Sequence, residues 1–475
     1  MNKIYFIGIG GIGMSALARY FIHEGNSVAG FDRTCTPLTT ALEQEGIAIH
    51  YDDSEMLIPV EFKGKDTMVI YTPAVGNDNA ELHYFQQNGN KIIKRAEALG
   101  HITATKNLLA VAGTHGKTTT STLLAHILTV AGDSCTAFLG GISKNYNNNL
   151  LLPQKTAQGS LSANNCIVAE ADEYDRSFLQ LHPTVAIITS MDADHLDIYG
   201  NVDELHKAFV AFINQIVPAG TLIVKKSVSE ALKKHASLIT YRSSLFTYAY
   251  NEVADFYARN ICVKQGGYFD FDIVTPFGII ENCTVGAPGW MNVENAVAAT
   301  AAAVSYWVSI CKEPLATHQS SLVDALKSFV GVQRRLDVQV NNERITYIDD
   351  YAHHPAELTA AITSVRNMFP NKKITGIFQP HLYTRTRDFA KEFGESLSAL
   401  DELILLDIYP AREKPIAGIT SQIIFDHVSI TEKQLCNKKD VLRVLQEKPR
   451  EVLVTLGAGD IDTLVEPIKK HLQND

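Results

Sequence analysis

Short apolar runs alternate along almost the whole chain with stretches whose apolar residues recur three and four apart. Lys3–Ile7 runs into Gly8 and an apolar helix pattern that reaches His23, and a second strand pattern, Ser27–Phe31, stops at Asp32. Further strand candidates are Leu108–Ala112, Cys166–Ala169, Val185–Thr189, Ile345–Ile348, Ile374–Phe378, Leu403–Leu406 and Val452–Leu456. Continuous apolar runs fit strands covered on both faces, and the helical stretches between them supply the crossovers that parallel pairing needs. The pattern therefore predicts an α/β protein with largely parallel sheets. Three blocks follow from it: residues 1–105, residues 106–332, which close after a helix candidate at Leu322–Phe329, and residues 333–475. Asn145–Asn149 reads as a polar loop.

Composition narrows the classes. A chain of 475 residues with 46% hydrophobic content can fill several cores. A net charge of −10 and a pI near 5.9 argue against a nucleic-acid partner, which would need clustered Lys and Arg. No stretch approaches the roughly 18 uncharged apolar residues of a membrane span, and the N-terminus enters a strand with no room for a signal peptide. The seven cysteines are scattered and form no C-x-x-C pair, which fits reduced thiols and a cytoplasmic location.

The most specific chemistry lies at Gly113-Thr114-His115-Gly116-Lys117-Thr118-Thr119, between the Leu108–Ala112 strand and a helix pattern that runs to Gly132. Strand, glycine turn and Lys-Thr at a helix start cradle a triphosphate. Backbone N–H groups and the helix dipole face the phosphates, the lysine neutralises their oxygens, and the Thr118 hydroxyl stands where Mg²⁺ needs a ligand. The loop departs from the common G-x-x-x-x-G-K spacing, because its earlier glycine falls on Val111. A plain strand-to-helix turn with a surface lysine is the bland alternative. ATP binding is the reading the flanking elements favour.

Two more strand ends carry acids: Glu170-Ala171-Asp172-Glu173 and Asp192-Ala193-Asp194-His195. Neighbouring carboxyl ends of a parallel sheet gather in one crevice, so Glu170 and His195 are candidates to complete the magnesium coordination begun by Thr118. The remaining carboxylates of these runs are expected in solvated loops. Near the N-terminus, Gly8-x-Gly10-x-x-Gly13 with Asp32 satisfies the dinucleotide fingerprint. A UDP-linked ligand satisfies it as well as NAD does, and a dehydrogenase would leave Lys117 idle.

These three central motifs resemble those of the Mur ligases. Gly331-Val332-Gln333-Arg334-Arg335, Asp349-Asp350-Tyr351-Ala352-His353-His354-Pro355 and Gln379-Pro380-His381-Leu382-Tyr383-Thr384-Arg385-Thr386-Arg387 extend the resemblance, which runs from Ile4 to Asp460. It implies a Rossmann-like UDP-substrate domain, a central P-loop ATPase-like α/β domain and a C-terminal Rossmann-like domain that brings the amino acid. Within the family it points to the branch acting on UDP-N-acetylmuramate and L-alanine, in cytoplasmic peptidoglycan precursor synthesis, with ATP and Mg²⁺ as cofactors and a monomer or weak homodimer as the expected state.

The resemblance also distributes roles. Gly113 to Thr119, Asn292 and Asn295 would hold ATP, with Arg335 and Asp350 reaching it from the third block. Thr118, Glu170 and His195 would serve the metal. Gly10, Gly11, Ile12, Gly13, Met14, Ser15 and Asp32 would hold the UDP substrate, while Tyr351, His353 and Arg385 would face the amino acid. Lys117, His195, Arg335 and His353 are the catalytic candidates. Two positions depart from the family's pattern: Met291, where a histidine is usual, and Leu382, where a basic residue is common. The rival readings are a ligase that adds a peptide to UDP-N-acetylmuramate in cell-wall recycling, a folate–glutamate ligase, a P-loop switch and an NAD oxidoreductase.

Overall fold

The N-terminal strand patterns pair as an all-parallel sheet of β1 (Lys3–Ile7), β2 (Ser27–Phe31), β3 (Ala48–His50), β4 (Thr67–Tyr71) and β5 (Lys91–Lys94), in the order β3-β2-β1-β4-β5. The order reverses between β1 and β4, which is where such sheets open a ligand crevice at their carboxyl ends. Helices α1 (Ile12–His23), α2 (Pro37–Gln44) and α3 (Ala80–Asn88) lie in crossovers, and α4 (Arg95–Thr103) follows β5. Local chemistry sets their ends. Thr36 and Thr39 form a capping box that brackets Pro37, and Asn79 caps α3, which ends at Gly89 in the left-handed conformation. In contrast α1 starts at Gly11 with no side-chain cap, so its first-turn N–H groups stay available to an anion.

This computed structural model describes residues 2–76, 78–153, 165–193, 196–240, 244–411 and 413–474. Contacts divide the chain into two units: Met1–Ile261 with Phe271–Thr284 and Glu294–Val330, and Cys262–Asp270 with Val285–Val293 and Gly331–Asp475.

The central sheet contains β6 (Asn107–Ala112), β7 (Ser134–Ser143), β8 (Asn148–Leu151), β9 (Asn165–Glu170), β10 (Val185–Ile188), β11 (Thr221–Lys225), β12 (Ser244–Ala249), β13 (Phe256–Val263), β14 (Phe269–Thr275) and β15 (Gly278–Thr284). Its order is β15-β14-β13-β12-β11-β10-β6-β9-β7-β8, so β6 lies between β10 and β9, both parallel to it. Helix α5 (Lys117–Val130) follows β6. The Asn145–Asn149 stretch is not wholly a loop: β8 begins at Asn148, and Asn149 is fully buried. Its amide donates to Ile12 O at 2.6 Å and Ser15 Oγ at 2.9 Å and accepts from Arg19 Nη1 at 2.5 Å, so a polar residue sits inside because every group it carries is bonded.

Tyr20 of α1 meets Phe138 of β7 at 5.4 Å between ring centroids, and one apolar cluster runs from the N-terminal block into the central one. The last sheet, β16 (Asp337–Asn341), β17 (Thr346–Asp350), β18 (Ile374–Phe378), β19 (Glu402–Leu406), β20 (Lys433–Cys436) and β21 (Val452–Leu456), has the order β16-β17-β21-β18-β19-β20 and is parallel except at β16. Apolar clusters cover both of its faces. Among the described residues no helix is long and apolar enough to cross a membrane.

Candidate active site

β6 ends at Ala112 and α5 begins at Lys117, so Gly113–Gly116 must reverse the chain within a few bonds. Gly113 (φ 131°) and Gly116 (φ 81°) adopt conformations that side chains resist, and a Cβ on Gly113 would stand 2.1 Å from Thr189 Oγ1. The segment after β10 holds the turn. Ser190 Oγ accepts the His115 N–H at 2.7 Å and lies 2.9 Å from Thr114 Oγ1. Gly116 caps α5 without a side chain, which leaves the first-turn N–H groups available to an anion.

Lys117 Nζ donates to Gly113 O at 2.6 Å and to Glu173 Oε1 at 2.9 Å, and Glu173 is fully buried. Burial disfavours the ammonium, but the charges of Glu173, Glu170 and Asp172 outweigh it and hold Lys117 above the ordinary lysine range. Tyr199 steadies the acid segment by donating to Glu173 O at 2.6 Å. Thr118 is buried on α5 and Thr119 is half-buried. Asn295 accepts from Thr120 Oγ1 at 3.1 Å, one turn into α5.

Glu170 ends β9 beside Gly140 of β7, where a Cβ would stand 2.0 Å from Glu170 Oε2. A missing side chain thus gives this carboxylate its room. Hydroxyl and carboxylate oxygens are the donors Mg²⁺ prefers, so Thr118 and Glu170 fit it in kind. No group of three or more His, Cys, Asp and Glu among the described residues could hold a metal by itself, so a cation here would depend on phosphate oxygens. His195 lies outside the described residues.

In the N-terminal turn Gly8 has φ 85°, and the Gly10 N–H donates to Asp32 Oδ2 at 2.7 Å. Asp32 Oδ1 accepts the Thr34 N–H at 3.1 Å, so this carboxylate braces its own turn. Gly11, Ile12 and Gly13 open α1. Met14 and Ser15 bury their side chains, and Ser15 Oγ bonds Ile12 O at 3.0 Å, which leaves the helix-start backbone as what this stretch presents to a ligand.

The third block assembles a compact cationic group. The guanidinium carbons of Arg335 and Arg334 stand 5.0 and 5.1 Å from the Tyr351 ring centroid. Arg334 is bound to Asp349 Oδ2 at 3.1 Å and Gly457 O at 2.6 Å. Asp350 accepts the Leu336 N–H at 2.7 Å and the Ala352 N–H at 2.8 Å, so both its oxygens fix the chain around Arg335 and Tyr351. Burial pushes its pKa up to about 6, against the opposing pull of Arg335 and the two amides.

His353 Nδ1 lies 2.9 Å from Tyr351 O and 3.2 Å from Glu357 Oε2. Two acceptors there assign the proton to Nδ1 and the lone pair to Nε2. Burial first, then the charges of Arg385 and Arg335, lower the His353 pKa, with Glu357 opposing. Arg387 instead pairs with its neighbour Asp388 at 2.6 Å. Asn292 donates to Pro288 O at 2.7 Å, and Met291 packs against the apolar cluster of the third block. Glu173, Gly140 and Asn149 belong to this construction without standing out in the sequence as site residues. Glu173 had a signal, its place in the acid run after β9.

A phosphate loop with a half-buried, charged lysine and acids at adjoining strand ends defines a nucleotide-dependent enzyme of the multi-block α/β class. The chain belongs to the Mur ligase family: the family's catalytic domain matches residues 3–107, its middle domain residues 111–303 and its glutamate ligase domain residues 334–459. It is 48% identical over 473 residues to the UDP-N-acetylmuramate–L-alanine ligase of Parabacteroides distasonis, covering 99% of this chain and 97% of the relative. An enzyme of the same name from Porphyromonas gingivalis is 48% identical over 478 residues, covering 100% and 99%. The solved UDP-N-acetylmuramate–alanine ligase of Thermotoga maritima matches with a TM-score of 0.80 at 26% identity over 100% of both chains. A murein peptide ligase of Psychrobacter arcticus shares the fold, with a TM-score of 0.71 at 22% identity over 100% of this chain and 99% of that one.

Proposed function

We propose that this chain is an ATP-dependent ligase that joins L-alanine to the carboxylate of UDP-N-acetylmuramate, acting in the cytoplasm in peptidoglycan precursor synthesis. The observation that carries the reading is the whole-length identity to ligases of that name, and the construction around Lys117 agrees with it.

A carboxylate resists amines because its leaving group would be oxide. Transfer of the γ-phosphoryl group of ATP to the carboxylate gives ADP and an acyl phosphate. The alanine amine then attacks the acyl carbon, and phosphate leaves with the bonding pair. Such transfer depends on positioning and charge neutralisation. Lys117 is already charged, and a triphosphate would compete with Glu173 for it. Mg²⁺, held by Thr118, Glu170 and the phosphates, would supply further neutralisation of phosphate charge. Arg335 is held beside Tyr351 to serve the transferred group. The amine must lose a proton, and His353, with Nδ1–H fixed and its pKa lowered, offers Nε2 as the acceptor. Arg385 supplies the planar fork for the alanine carboxylate.

Phosphate release from ATP, measured with UDP-N-acetylmuramate and L-alanine, L-serine, glycine or a tripeptide in turn, tests the reading. Release that requires L-alanine supports it. Strict dependence on the tripeptide would assign the chain to recycling, and release without either co-substrate would assign a switch.

A further inference from the structure

Arg95 belongs to no local motif, yet it stands beside both the α1 start and the acid segment after β9. It opens α4 directly after β5, at the carboxyl edge of the N-terminal sheet. Its Nη1 lies 2.8 Å from the point a Cβ on Gly13 would occupy, so the glycine at the start of α1 makes space for this guanidinium. On its other side Nη2 reaches Asp172 Oδ2 at 3.3 Å, in the acid segment that also carries Glu170 and the Lys117 partner Glu173. A cavity of about 110 Å³ lies between, lined by Gly13, Arg95, Phe138, Gly140, Glu170 and Asp172 among others. Arg95 is the sole cation among its lining residues, facing two carboxylates.

We infer that Arg95 reads the carboxylate of the UDP-linked substrate, giving up Asp172 to hold it. This rests on the proposed function, in which that carboxylate must travel from the UDP turn toward Glu170. A diphosphate would remain at the α1 start, where backbone N–H groups serve it. A carboxylate moving between Glu170 and Asp172 meets like charge on both sides and needs a cation. The Asp172 bond is a single long one, whereas a free carboxylate can take two parallel bonds from a guanidinium, a geometry lysine cannot reproduce.

The test is calorimetric binding of UDP-N-acetylmuramate, UDP-N-acetylglucosamine and UDP to the full chain and to Arg95→Ala and Arg95→Lys, with thermal melting to verify folding. The second and third ligands keep the diphosphate but lack the carboxylate. Arg95→Ala should weaken UDP-N-acetylmuramate by about tenfold or more, and Arg95→Lys by several-fold. The other two ligands should stay within about twofold. If Arg95→Ala fails to fold, the lysine variant carries the same comparison. Equal loss for all three ligands would make Arg95 a diphosphate contact and overturn the inference. Unchanged binding would make it only a strut to Asp172 and overturn it as well. Failure of the unsubstituted chain to bind UDP-N-acetylmuramate would overturn the proposed function itself, and this inference with it, before any variant is read.

Discussion

The first unit contains two glycine turns built on one plan, a parallel strand running through positive-φ glycine into an uncapped helix, and they carry opposite charge chemistry. At the turn after β1 the side-chain partner is an acid: Asp32 takes the Gly10 N–H at 2.7 Å. At the turn after β6 it is a base: Lys117 bonds the loop carbonyl and is balanced by buried Glu173. The backbone plan offers N–H groups to any phosphate. The added side chain decides which one is held. An acid beside the turn repels a highly charged terminal phosphate and suits a diphosphate that brings hydroxyl donors. A lysine suits a triphosphate whose end group must be neutralised for transfer. The fold alone would make both turns nucleotide sites; under the proposed function the charges separate substrate from energy source.

Removing each side chain sharpens this contrast and gives the largest effect. Lys117→Ala should lower phosphoryl transfer by about 10²–10³ while leaving UDP-substrate affinity nearly intact. Because the change strands Glu173 in the interior, at a cost of about 3–5 kcal/mol typical of a broken buried pair, Lys117→Ala with Glu173→Gln is the control for folding. Asp32→Ala should do the reverse, weakening the UDP substrate and sparing ATP. Calorimetry in which both nucleotides are lost together in either variant would break the comparison.

The two helices differ as well. Helix α5 buries His126, bonded to Tyr146 Oη at 2.8 Å and Ser328 Oγ at 3.0 Å, while the buried positions of α1 hold no histidine. Burial lowers the His126 pKa from 6.5 to about 4, with the Ala325 backbone opposing. A depressed folded pKa means the unfolded chain binds the proton first as pH falls. The stability that this neutral histidine contributes is whole above pH 6.5 and is lost as pH falls toward about 4. The shift corresponds to roughly 3 kcal/mol at most. Urea denaturation at pH 7 and pH 4.5 should show a steeper loss in the unsubstituted chain than in His126→Asn. Equal losses would place acid sensitivity elsewhere.

What the sequence disclosed follows the reach of each interaction. β1, β2, β18 and β21 coincide with their apolar runs, and β6 and β9 extend theirs by a residue or two, because burial on both faces leaves a local signature. The turn at Gly113 was equally legible, since glycine, lysine and threonine act within one turn. Partners brought in by the fold were not. Glu173 meets Lys117 from 56 residues away and Asn149 meets Ser15 from 134, so neither pairing has a local pattern. Asn149 shows the consequence: its polarity fits a loop, while its bonds put it inside.

A third strand-to-helix turn breaks the glycine plan. β18 ends at Phe378, a helix covers Tyr383–Asp388, and the residue before it, Leu382, holds φ 72° and ψ 137° with no glycine to relieve it. A branched side chain in this region stores about 1–3 kcal/mol, and such strain persists where surrounding structure fixes it. Here the Leu382 N–H donates to Tyr409 O at 2.9 Å, and Leu382 O accepts the Thr386 N–H at 3.1 Å. The constraint sets the start of the helix that carries Arg385, which the proposed function assigns to the alanine carboxylate by its match to the family position, whereas Arg387 pairs with Asp388. Arg385→Ala should therefore raise the KM for L-alanine by at least about tenfold, roughly 1.4 kcal/mol, with the KM for ATP little changed. Leu382→Arg keeps the strained backbone and should be tolerated without improving alanine binding. Leu382→Gly should gain up to about 1 kcal/mol in the fold, less the packing it gives up, and loosen the aim of Arg385, so that alanine KM rises while stability does not fall. Alanine kinetics untouched by Arg385→Ala but abolished by Arg387→Ala would reverse the assignment, and would mean that the Asp388 pair opens when the amino acid arrives.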